Sequence, residues 1–191
     1  MDSMKYIEEQ IFEQQDFREM SFPLAEYEGC LFTACNWASA SLAGSVFINC
    51  RFENCDLSSA KIDGVTLRDV AFKDCKLLGM RFDLCNSFLI SFSFDTCILD
   101  FSSFRGLEIQ KTSFRDCRLE EVDFVGANLT AALFADCDLQ GAAFEGTTLI
   151  KADFRSAFYF CIDPDANRLK KAKFSMMGLD GLLSKYDLDI E

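Results

Sequence analysis

The fold is decided by residues 114–134, FRDCRLEEVDFVGANLTAALF, where a large apolar side chain recurs at Phe114, Leu119, Phe124, Leu129 and Phe134. Stepping outward by fives, the beat continues forward through Leu139, Phe144, Leu149 and Phe154, and back through Ile109, Phe104, Leu99 and Phe94 to Leu89. From Leu89 back to Phe82 the gap is seven residues, so two are inserted. The beat then resumes as Leu77, Phe72, Leu67, Ile62, Leu57, Phe52, Phe47, Leu42, Trp37, Phe32, Tyr27, Phe22, Phe17 and Phe12. A second, smaller set lies two residues before these, including Ala25, Cys30, Cys35, Ala40, Ser45, Cys50, Cys117, Ala127 and Ala132.

A five-residue period turns a helix face by about 140° and flips a strand face, so neither element alone carries it. Inward positions spaced two, then three, describe a short extended piece followed by a corner. Gly29, Gly44, Gly64, Gly79, Gly106, Gly126, Gly141 and Gly146 all fall two residues after a large core position, where a corner favours φ > 0. Gly178 and Gly181 alone fall elsewhere. Steps of twenty give the column Phe12, Phe32, Phe52, Phe72 and, past the insertion, Phe94, Phe114, Phe134 and Phe154. Like stacking on like every twenty residues predicts four faces per coil, and about seven coils at a spacing of ~4.8 Å make a rod of roughly 35 Å.

Segments such as ADFRS, ANLTA, CDLQG and CRLEE resemble the pentapeptide-repeat motif over residues 12–160. The resemblance implies an all-β fold, a right-handed quadrilateral β-helix, here with a short C-terminal α-helix. The expected division is an N-terminal cap at 1–11, the β-helix at 12–160 with its two-residue bulge within 83–89, and a turn, helix and strand at 161–191.

Nine of the ten cysteines occupy the small inward position, Cys30, Cys35, Cys50, Cys55, Cys75, Cys85, Cys97, Cys117 and Cys137. A column of thiols is read as apolar filling, since zinc needs tetrahedral convergence. Only Cys161 is out of frame. No apolar export segment opens the sequence, which points to a reducing cytoplasm. The uncharged run from Gly29 to Cys50 is polar enough, and regular enough, to be coil and not a membrane span.

Histidine is absent, and no nucleophile–base pair, phosphate loop or metal-ligand spacing occurs. The expectation is a non-enzymatic interaction module with no cofactor, metal or small-molecule substrate. The formal net charge of −12 is concentrated at residues 1–30, with eight acids and two bases, and at 121–150, with five acids and no base. Asp95, Asp100, Asp116, Glu120, Glu121, Asp123, Asp136 and Asp138 are expected on or beside two adjacent faces of the later coils, as an acidic partner surface.

The ending, IDPDANRLKKAKFSMMGLDGLLSKYDLDIE, is similar to that of Qnr-type and McbG-type pentapeptide proteins, whose terminal helix and strand make a two-fold dimer. That resemblance implies a homodimer of roughly 70 Å through Met176, Met177, Leu179, Leu182, Leu183, Leu188 and Ile190. It also implies a DNA-mimicking partner of a type II topoisomerase, DNA gyrase or topoisomerase IV, that protects the enzyme from quinolone- or microcin-like inhibitors without itself binding nucleic acid. A scaffold with an unrelated protein partner is the alternative.

Overall fold

The structure, a computed structural model, describes residues 4–186 and 188. It is a parallel β-solenoid. One sheet stacks β1 (Lys5–Glu8), β3 (Ala25–Glu28), β5 (Val46–Ile48) and β7 (Thr66–Arg68). A second stacks β2 (Ile11–Glu13), β4 (Leu31–Thr33), β6 (Arg51–Glu53), β8 (Val70–Lys73), β9 (Phe92–Asp95), β10 (Ser113–Arg115) and β11 (Leu133–Ala135). Single bridges complete two further ladders, one running Asp16, Asn36, Asp56, Lys76, Ile98, Arg118, Asp138, Phe158, the other including Ser103, Asp123 and Ala143. Partners are twenty residues apart, as in Phe114↔Phe134, until Val70↔Phe92, where the offset grows by the two inserted residues.

The Phe/Leu alternation has a packing reason. Phe114 stacks on Phe94 and Phe134 at 5.2 and 5.0 Å, and meets Phe104 and Phe124 edge-on across the core at 5.9 Å. Flat rings along a column and crossed rings between columns satisfy the aromatic quadrupole in both directions. Leucine and isoleucine fill the other two faces.

The corner geometry is more general than the glycines indicate. Ala34, Asn49, Asp74, Lys111, Asp116 and Lys151 also lie at φ of 47–63°. Ala34 is exposed and its N–H donates to Glu53 O on the next coil, so the hydrogen-bond ladder holds it there. Ala34→Gly is expected to stabilise the protein by about 0.5–1 kcal/mol, because relief of roughly 1–2 kcal/mol of left-handed strain exceeds the extra chain entropy of glycine. Urea denaturation checks the sign.

Three boundaries differ from expectation. Lys5–Glu8 pairs with Ala25–Glu28, so the coil takes in residues assigned to the cap at 1–11; Ile7, one step before Phe12, is already core. Leu89, expected inside, is 58% exposed at φ 57°, and Ile90 is buried in its stead. The inserted residues need a left-handed turn, which swings Leu89 and Phe88 outward. Finally, coil pairing continues past 160: Thr148↔Arg168 and Asp153↔Lys173 are bridged, and Phe174 stacks on Phe154 at 5.3 Å. The turn through Pro164 keeps the twenty-residue interval while replacing one face, which hides the last coil from the five-residue count.

The end of the solenoid is closed by a 3-10 turn at Met176–Gly178, α1 (Asp180–Leu183) and a second 3-10 turn at Ser184–Tyr186. Ile162 N–H donates to Gly181 O at 2.9 Å, and Leu182 packs on the core. Lys185 Nζ donates to Asp163 Oδ1 at 2.5 Å and to Asp165, which raises the lysine above its ordinary pKa and lowers Asp163. The expected strand at the end falls on residues outside those described, apart from Leu188.

Candidate interaction surfaces

The interior is occupied at every level. Each inward thiol of the long cysteine column donates to a carbonyl, such as Cys75 Sγ to Phe52 O at 3.3 Å and Cys97 Sγ to Phe72 O at 3.5 Å. Burial pushes Cys50 and Cys85 up to about 12. The thiol on the next rung, and then burial, do the same to Cys97 and Cys117. Cys35 and Cys75 are raised as well, first by the neighbouring Cys55 thiol and then by burial. These are protonated packing groups, poor nucleophiles and poor ligands. Among the described residues, no group of three or more cysteines and carboxylates is placed to hold a metal ion.

Cys161 is exposed, with Sγ 3.0 Å from Ser184 Oγ. A thiol reagent is therefore expected to modify Cys161 first in the native protein, the other nine reacting only as the coil opens. Peptide mapping after a short pulse tests this order; comparable labelling at several buried positions would refute it.

Surface chemistry is left to the walls. Of the acids expected to form one patch, Asp95, Asp116, Glu121 and Asp136 are exposed, and Glu120, Asp123 and Asp138 are half-buried. Asp100 does not belong to the surface. It is 2% exposed, pairs with Arg118 at 2.5 Å and accepts the Glu120 N–H. Asp123 is paired with Arg105 at 2.8 Å. The ladders also interleave signs, because Arg115 follows Asp95 and Arg118 precedes Asp138 in their columns. What persists is a row along one corner, with Asp74, Asp116 and Asp136 at left-handed corner positions and Asp95 beside Thr96. The five-residue count assigns faces correctly but carries no information on which acid finds an arginine.

The residues expected at a dimer interface divide similarly. Met176 and Met177 are 83% and 94% exposed, and Leu188 is exposed. Leu179 and Leu183 are half-buried, and Leu182 is spent on closing the coil. Ile190 lies outside the described residues. The Lys185 clamp on Asp163 and Asp165 was not legible, since it joins residues about one coil apart across an irregular turn.

The solenoid is similar in fold to trypsin-treated QnrB1, a plasmid-mediated fluoroquinolone resistance protein, at 18% identity over 97% of this chain and 100% of that one, with a TM-score of 0.49. Full-length QnrB1 matches at 15% identity over 96% and 100%, TM-score 0.47. HetL, a pentapeptide repeat protein involved in heterocyst differentiation regulation in the cyanobacterium Nostoc, matches at 14% over 91% and 88%, TM-score 0.43. No curated protein sequence matches. The family model described as the pentapeptide repeat region matches residues 6–82 and 87–157, the break falling at the insertion. With the five-residue beat, the twenty-residue register and this match in agreement, the chain belongs to the pentapeptide repeat family.

Proposed function

We propose that the chain is a non-enzymatic protein-interaction module that works through its outer walls. The observation that carries this reading is the filled interior: Phe104, Phe114, Phe124 and Phe134 are wholly buried against one another, so the coil has no room for a substrate. The free thiols of the core suit a reducing cytoplasm.

In its finer form, the module is a homodimer joined through the C-terminal segment, with exposed Met176, Met177 and Leu188 as the contact and Leu179 and Leu183 at its margin. The dimer enters the basic DNA-binding groove of gyrase or topoisomerase IV as a DNA mimic and protects the enzyme from quinolone- or microcin-like inhibitors. The net charge of −12, the corner row of Asp74, Asp116 and Asp136, and the resemblance of the ending support it. The interleaved Arg105, Arg115 and Arg118 favour the second reading, a scaffold whose partner is another protein.

Gyrase supercoiling, with and without a quinolone, titrated with this protein separates the two. Protection that is lost on replacing Asp116 and Asp136 by lysine supports the topoisomerase reading. No binding, no inhibition and no protection leaves the scaffold.

A further inference from the structure

The corner between the two sheets changes chemistry along the rod. Its successive left-handed positions are Glu9, Gly29, Asn49 and Asp69, then, past the insertion, Lys111, Ala131, Lys151 and Lys171; between them Ser91 holds the register and the left-handed residue is Leu89, two positions earlier. Backbone bonds tie the later corners in sequence, Lys111 N to Thr130 O, Ala131 N to Ile150 O and Lys151 N to Lys170 O, so these lysines rise along one edge, one or two coils apart. Arg168, Lys170 and Lys173 flank them. Among the described residues, Lys111, Lys151, Lys170, Lys171 and Arg168 form no ion pair, and Lys173 reaches Asp153 only at 3.4 Å. A left-handed corner favours glycine or asparagine, and the neighbouring corner has Asn54, Asp74, Asp116 and Asp136 there. Three lysines in that conformation on one edge mark a place where charge outweighs backbone preference.

Two shallow grooves open beside this edge. One, of about 510 Å³, is floored by Ala131, Ala132 and Leu133 and walled by Lys151, Lys171 and Lys173, with Asp153 in its lining already paired with Arg155 and Lys173. The other, of about 410 Å³, runs past Asp69, Ile90, Ser91, Phe92, Gln110 and Lys111, and Asp69 accepts the Ser91 hydroxyl there. The knob of Phe88 and Leu89, 69% and 58% exposed, immediately precedes Ile90 of this groove in the chain.

We infer that the edge from Phe88 to Lys173 docks an acidic, apolar-anchored segment of a partner protein, its carboxylates along the lysines and an apolar side chain against the knob. The surface lies one corner away from the acidic row of the proposed topoisomerase contact, across the face of β10 and β11. Charge decides against a nucleic acid. A polyanion with a charge every ~1.7 Å would run on beyond the lysines and Asp69 to Glu9 and meet a rod of net charge −12. A short acidic segment can stop at Lys151, Lys171 and Lys173, where the one acid lining the groove, Asp153, is already paired with Arg155 and Lys173.

The test is fluorescence anisotropy of the full chain with a short fluorescein-labelled polyglutamate peptide carrying a central leucine, against a labelled oligothymidylate of equal length. The peptide is expected to bind at low salt. Affinity should fall about tenfold in Lys151→Glu/Lys171→Glu, as for loss of two interfacial charges, and severalfold in Leu89→Ser. Lys61→Glu/Lys76→Glu, on other faces, should leave it unchanged. The exposed variants should melt like the parent; should the reversed pair fail to fold, Lys151→Gln/Lys171→Gln carries the same comparison. Absence of peptide binding, equal weakening by the Lys61/Lys76 reversal, or oligothymidylate binding as tight as the peptide would each overturn the inference.

Discussion

Phe114→Ala is expected to lower the unfolding free energy by about 3–5 kcal/mol, a large part of a typical domain's total stability. Phe114 is fully buried, stacked at 5.0 and 5.2 Å and crossed by two further rings at 5.9 Å. Truncation removes the transfer free energy of the ring and leaves a cavity that cannot collapse, because each wall is tied by ladder hydrogen bonds to the coils on both sides. Phe12→Ala is the internal control. Phe12 is half-buried at the end of the same column, with a stacking partner, Phe32, on one side only, so its loss should cost clearly less. Urea denaturation followed by circular dichroism measures both. Equal effects at the two positions would mean that column packing does not govern stability.

The second large effect is at the cap. Gly181→Ala is expected to destabilise the C-terminal closure by about 1–3 kcal/mol, the range for forcing extra volume into a packed contact. A Cβ at Gly181 would meet Phe160 O at 2.2 Å and the Phe160 ring at 2.9 Å. One at Gly178 would meet the same ring at 2.7 Å. Neither glycine has a positive φ, so the constraint is close approach and not backbone strain. Gly146→Ala makes the opposite comparison, since φ is +68° there but nothing lies within 4 Å; it should cost about 1–2 kcal/mol and leave the cap in place. Limited proteolysis distinguishes them: cleavage within residues 161–186 should accelerate in Gly181→Ala alone. Unchanged cleavage would show that the helix does not need Phe160 as its seat.

These two positions also show what was legible. The phenylalanine column announces itself because its period is uniform and every member meets the same environment. Gly178 and Gly181 were visible only as glycines out of step, and their reason, the ring of Phe160, lies some twenty residues away across the capped end. The insertion was countable as seven in place of five. That Ile90 enters the core and Leu89 leaves it was not, since two apolar neighbours compete for one site and the backbone turn selects between them. Residues 168–174 were read as tail because the Pro164 turn breaks the five-residue count while the twenty-residue register survives it.

The sequence by itself determined the period, the four ladders and the inward set away from the insertion, including the nine packing cysteines, because a solenoid repeats one local environment and hydrophobic burial reports it at each regular step. Tertiary structure alone decided which charges remain free. Asp100 is buried against Arg118, whereas Lys111, Lys151 and Lys171 stand along one corner without an ion pair among the described residues. Burial follows from a residue's place within its own coil, but pairing depends on the side chains of neighbouring coils and on where each long arm reaches, and no periodicity encodes that.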